Sequence, residues 1–133
     1  MIERQKNLFT GRYRMVRAPN PLEHQLQISL IQRLKWQCRR DDVTYFHPAN
    51  GELRGPKLGA KLKAMGVLPG VSDLIVLFGH EVLALELKRR GNKLTEQQEW
   101  FGQRIHALHG HHFEMADTID GAVEILRRYG IVT

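Results

Sequence analysis

The sequence predicts a mixed α/β domain, and three observations carry that expectation. Leu22, Leu26, Leu30, Leu34 and Cys38 recur every fourth residue, which draws one apolar stripe along a long helix. Two short apolar runs, Asp73 to Phe78 and Glu81 to Lys88, are separated only by Gly79-His80, where glycine supplies the positive φ of a tight hairpin turn. A last run places Ile119, Val123, Ile125 and Leu126 at helical spacing before Gly130 stops it.

The other elements fall between these. Asn20-Pro21 reads as the start of the first helix, a capping side chain followed by proline at the first helical position. Asp41-Asp42 breaks that helix, and Val43 to His47, β-branched and aromatic, is a short strand. Pro48 to Gly51 is turn chemistry, and loop continues to Gly55-Pro56. Lys57 to Met65 forms a short basic helix ended by Gly66, and Pro69-Gly70 makes the next turn. After a basic loop from Arg89 to Asn92, Thr95 caps a helix reaching about His109, with its apolar side drawn from Trp100, Phe101, Ile105 and Leu108. Phe113 to Ala116 is a short strand, and Asp117 or Thr118 opens the last helix.

Composition bounds the function. A chain of 133 residues with 42% hydrophobic and 26% charged residues suits one soluble globular domain with a real core. Met1 to Lys6 is polar with no apolar stretch after it, and the longest apolar run, Leu74 to Phe78, is strand-sized. Neither a secretory signal nor a spanning segment is expected, which points to the cytoplasm. The single Cys38 excludes an internal disulfide framework and a cysteine-cluster zinc site. A net charge of +6 suits a polyanionic partner such as nucleic acid. Residues 1–19 carry Arg4, Lys6, Arg12, Arg14 and Arg17 against Glu3 with no clear period. They read as a basic arm ahead of a domain spanning 20–133, either solvated and poorly ordered or tracking a phosphate backbone.

The chemistry concentrates in Val82-Leu83-Ala84-Leu85-Glu86-Leu87-Lys88. Strand side chains alternate, so Glu86 and Lys88 share one face and Leu85 and Leu87 the other. The hairpin brings Asp73 toward the Glu86 end, in a manner that depends on register. Two carboxylates and an ammonium then converge, and a divalent cation is the usual remedy for acids that close. Hard oxygen ligands suit Mg2+ or Mn2+. On the first helix, at 100° per residue, Glu23 falls inside the apolar stripe, either as a buried acid needing a partner or as a first-turn acid favoured by the helix dipole.

These stretches resemble the VRR-NUC branch of the PD-(D/E)XK nuclease superfamily. The likeness is carried by Glu23 with Gln27, by Phe46 to Gly51, by Leu62 through Leu74 with its Pro69-Gly70-Val71-Ser72-Asp73, by Leu85-Glu86-Leu87-Lys88, and by Leu94-Thr95-Glu96-Gln97-Gln98 leading into Trp100-Phe101. Ser72 departs from the proline of the superfamily's name, at a position that is not a ligand. The resemblance implies a restriction-endonuclease-like core, a mixed sheet flanked by helices, and a Mg2+ site made by Asp73, Glu86 and the carbonyl of Leu87. Glu23 would be a further ligand, directly or through water. Lys88 would orient or help deprotonate the attacking water, and Gln98, which fits the Thr-x-x-Gln pattern better than Gln97, would support it. The stand-alone bacterial and phage members look like Holliday-junction resolvases, which implies a homodimer acting on branched DNA in a bacterial or phage-infected cell. Lys57, Lys61, Lys63, Arg89, Arg90 and Lys93 would contact the DNA backbone. A catalytically silent DNA-binding module is the alternative.

Two further features stand outside that scheme. His106, His109, His111 and His112 read as solvated histidines at a helix C-terminus, where positive charge is welcome, with the last two beyond Gly110 in a loop or strand. His47 falls near the expected site and could touch substrate.

Overall fold

The computed structural model describes residues 2–6, 13–17, 21–48 and 56–133. Its elements are β1 (Ile2–Lys6), β2 (Tyr13–Arg17), α1 (Glu23–Gln37), β3 (Val43–Phe46), α2 (Pro56–Ala64), β4 (Leu74–Phe78), β5 (Glu81–Leu87), α3 (Glu96–His106), β6 (His111–Ala116) and α4 (Ile119–Arg128). From α1 onward this is the order expected from the sequence. The N-terminal segment differs: β1 and β2 pair antiparallel, Ile2 opposite Arg17 and Lys6 opposite Tyr13, where an arm without regular structure was one expectation. Backbone pairing needs no apolar period, so the composition gave no sign of it.

A second, four-stranded sheet runs in the order β3-β4-β5-β6. β3 and β4 are antiparallel, β4 and β5 form the hairpin closed by Gly79 at φ +55°, and β5 and β6 are parallel, joined by the α3 crossover. Side-chain alternation sorts this sheet into two faces. Leu74, Val76 and Phe78 of β4 share one face with Leu83, Leu85 and Leu87 of β5. They pack with Leu26, Leu30 and Leu34 of α1 and Val123 and Leu126 of α4 into the core. The opposite face carries Ile75, Ala84, Glu86 and Phe113, and α3 lies on it: a Cβ added at Gly102 would come within 2.8 Å of the Phe113 ring.

That approach explains a correction to α3. Trp100 and Leu108 were expected on its apolar side, yet they are 46% and 52% exposed, and Phe101 and Ile105 are only half-buried. The helix meets the sheet through a glycine, so its large residues splay to the flanks. α1 is corrected at its start. Pro21 lies two residues ahead of the helix, Asn20 lies outside the described residues, and Gln25 fixes the first turn by accepting from the Leu22 N–H at 2.9 Å. The expected loop at 49–55 also lies outside them. Among the described residues no helix is long and apolar enough to cross a membrane.

Candidate metal and nucleic-acid site

Register decides where the acids meet. Leu74 pairs with Leu85, so one step further out Asp73 stands opposite Glu86, at the end of the hairpin away from its turn. Asp73 is held in two ways. Its Oδ2 accepts from the Leu87 N–H at 2.8 Å, and its backbone carbonyl accepts from Nδ1 of His47 at the end of β3. A carbonyl can only accept, so that ring nitrogen carries the proton. His47 therefore positions the main chain of an acid, a part its place in the sequence did not specify.

Glu86 lies on the α3 face and is 1% exposed. Its Oε1 accepts from Gln98 Nε2 at 3.0 Å, and its Oε2 is buried without a partner. Burial, followed by the facing charge of Asp73, pushes this carboxyl up to about 9, against a smaller opposing pull from Lys88. Gln98 can reach it because α3 starts with a capping box. Thr95 Oγ1 accepts from the Gln98 N–H at 3.2 Å, and Gln98 Oε1 accepts from the Thr95 N–H at 2.9 Å. With its oxygen turned to the helix end, the amide nitrogen is left for Glu86. Of the two adjacent glutamines, Gln98 reaches the acid.

Lys88 follows on the same face, 6% exposed, its N–H bonded to the Ala116 carbonyl at 2.9 Å. Among the described residues it forms no ion pair with either acid. Glu23 arrives from α1 at the same strand end, where its Oε1 accepts from the Arg89 N–H at 3.3 Å. The structure thus brings Asp73, Glu86, Lys88, Gln98 and Glu23 to one end of β5. Among the described residues no three His, Cys, Asp or Glu side chains group closely enough to hold an ion by themselves. Two facing carboxylates are the hard oxygen donors that the side chains offer there. That fits Mg2+, which keeps several waters, and the orphaned Glu86 Oε2 is an oxygen with no other function in the fold. Gln27, one turn after Glu23, is also notable: both polar atoms of its amide are buried without a partner.

Lys57, Lys61 and Lys63 are exposed on α2, and Arg89 and Lys93 are exposed in the loop following Lys88, with Arg90 half-buried there. The histidines divide. His106 and His109 are exposed as expected, but His111 and His112 lie in β6. There His111 Nδ1 accepts from the Val82 N–H at 3.1 Å, and His112 Nε2 bonds Glu81 Oε1 at 2.8 Å, so solvation does not describe these two.

A mixed four-stranded sheet with helices on both faces and an acidic cluster at the hairpin's open end is a restriction-endonuclease-like core. In particular, the chain is similar to a solved protein described as a "VRR_NUC domain protein". The two share 25% identity and superpose with a TM-score of 0.58 over 84% of this chain and 89% of that one. No family model and no curated protein matches the sequence.

Proposed function

We propose that this protein is a divalent-cation-dependent DNA endonuclease that hydrolyses phosphodiester bonds at the Asp73–Glu86–Lys88 site. The observation that carries this reading is the opposition of Asp73 and Glu86 with Glu86 Oε2 buried and unpartnered. Asp73, Glu86 and the Leu87 carbonyl would hold Mg2+, for which Mn2+ substitutes, and Glu23 would act through water. Such an ion lowers the pKa of water and offsets charge developing at phosphorus. The chain's own groups do the rest. The Leu87 N–H and His47 orient Asp73, and Gln98 orients Glu86. Lys88 presents a shielded ammonium beside Glu86, suited to aligning water and to offsetting charge on the phosphate. Lys57, Lys61, Lys63, Arg89, Arg90 and Lys93 supply sequence-independent attraction for the strand. The likeness to the VRR_NUC domain protein supports the same reading.

The finer reading is a homodimer that prefers four-way junctions, because two symmetric sites on an isologous dimer match a two-fold symmetric substrate. Both levels are tested by incubating the protein with four-way, nicked, single-stranded and linear duplex DNA, each with Mg2+, Mn2+ or EDTA. Cleavage with either metal and none in EDTA is expected. Absence of cleavage on every substrate would leave a silent DNA-binding module. Equal rates on junction and linear duplex would remove the junction preference, and a monomeric mass by light scattering would remove the dimer.

A further inference from the structure

Beside the site lies a cleft of about 390 Å³ lined by Leu68, Pro69, Glu96, Gln97 and Trp100. Its volume is within the roughly 300–1,000 Å³ of small-ligand pockets. Leu68, Pro69 and Trp100 give it apolar walls, and Glu96 and Gln97 add a carboxylate and an amide. Trp100 is 46% exposed although an indole ordinarily gains by burial, and the Arg104 guanidinium lies 5.2 Å from its ring centroid. The cleft and the acidic site share the first turn of α3: Gln97 lines the one and the next residue, Gln98, bonds Glu86 in the other. The first turn of α3 that lines the cleft is acidic, with Glu96 and Glu99, and Arg104 is the cation held against Trp100.

We propose that this cleft receives one unpaired nucleobase of the bound DNA strand, stacked on Trp100, a proposal that rests on the endonuclease reading above. The Trp100 indole suits the π-face every base shares, and the Arg104 guanidinium, which lies over the same ring, suits the phosphate that follows. Glu96 accepts hydrogen bonds and Gln97 both donates and accepts, which matches the polar edge of a base and not a purely apolar guest. A base in a paired stack has no face to offer. The substrate class is therefore DNA with unpaired nucleotides beside the cut, such as a flap, a single strand or a branch point with unpaired bases.

The chain has two tryptophans, and the other, Trp36 on α1, is 74% exposed. A Trp36→Phe protein makes Trp100 the sole indole reporter. In EDTA, where no cleavage occurs, its emission should be quenched by a short oligothymidylate, and not by an abasic strand of equal length or by a blunt duplex. Trp100→Ala should weaken oligothymidylate binding by about tenfold, with duplex binding unchanged. Quenching by the abasic strand or duplex to the same extent, or an unchanged affinity in Trp100→Ala, would overturn the proposal. So would conversion of a dimer to a monomer by Trp100→Ala, which would make a second copy the occupant. Cleavage in Mg2+ separates the two readings. Selective quenching without cleavage upholds the cleft and removes the nuclease, whereas cleavage without selective quenching does the reverse.

Discussion

The two ends of the β4–β5 hairpin treat their acids in opposite ways. At the turn end each acid has a partner. Asp42 is gripped by Arg40 through two bonds of 2.6 and 2.8 Å, and Glu81 meets His112. Away from the turn, opposite Leu85, Glu114 is partnered as well: it accepts from the Tyr129 hydroxyl at 2.9 Å and pairs with Arg128 at 3.4 Å. Asp42 is held below the usual carboxylate range by its bond to Arg40, as expected of a charge that the fold welcomes. At the open end Asp73 and Glu86 face each other and Glu23 stands nearby, with backbone and amide N–H groups as their donors and Glu86 pushed upward. The turn end resembles ordinary stabilisation. The open end gathers acids without cationic side chains bonded to them and raises one of them, the kind of perturbation that clusters at functional sites.

Removing acids from each end is the hardest test of that contrast. Asp73→Ala or Glu86→Ala should lower single-turnover cleavage by at least about 10³-fold while leaving DNA affinity in EDTA nearly unchanged. Glu81→Ala at the turn end should leave the rate unaltered, at a stability cost of ~1 kcal/mol or less. Substantial activity in either open-end variant would misplace the site.

Lys88→Ala should still bind metal but lose roughly 10²- to 10⁴-fold in rate if the ammonium takes part in proton transfer. Calorimetric metal titration alongside the kinetics checks it, and normal turnover would remove Lys88 from the chemistry.

The raised Glu86 carboxyl gives a stability signature. Between the ordinary 4.5 and about 9 the unfolded chain has released a proton that the folded chain still holds. Stability without metal should therefore fall as pH rises through that window, by at most about 1.4 kcal/mol per unit, and level off above it. Urea melts in EDTA should show this slope. Mg2+, or Glu86→Gln, should flatten it, and an equal slope in all three would assign the pH dependence to other groups. Smallest is Gln98→Ala, which removes the donor to Glu86 and half of the capping box. It should slow cleavage roughly tenfold and cost about 1 kcal/mol in a thermal melt; an unchanged rate would limit Gln98 to the cap.

What the sequence made legible is what periodicity and short-range chemistry control. The Leu26, Leu30 and Leu34 stripe, the hairpin about Gly79, and the shared face of Glu86 and Lys88 all follow from local spacing. The register that sets Asp73 opposite Glu86 needed the structure, because a strand pattern leaves pairing open. Trp100 was assigned to the core by helical spacing, but Gly102 brings α3 so close to Phe113 that larger neighbours are displaced outward. His47 and His112 owe their roles to residues 26 and 31 positions away, beyond any local pattern.

Gly70 has a consequence for motion. At φ +84°, it lies so near α3 that an added Cβ would stand 2.5 Å from the backbone of Gln97. The segment leading to Asp73 and the first turn of the helix bearing Gln98 thus meet main chain to main chain. Side chains can yield by changing rotamer, but a backbone joint has no such slack. The Leu68–Pro69 wall of the cleft thus adjoins a backbone-to-backbone contact three residues before Asp73. Any free energy by which occupancy of the cleft favours alignment of the acids must return when the acids are aligned first, as tighter occupancy of the cleft.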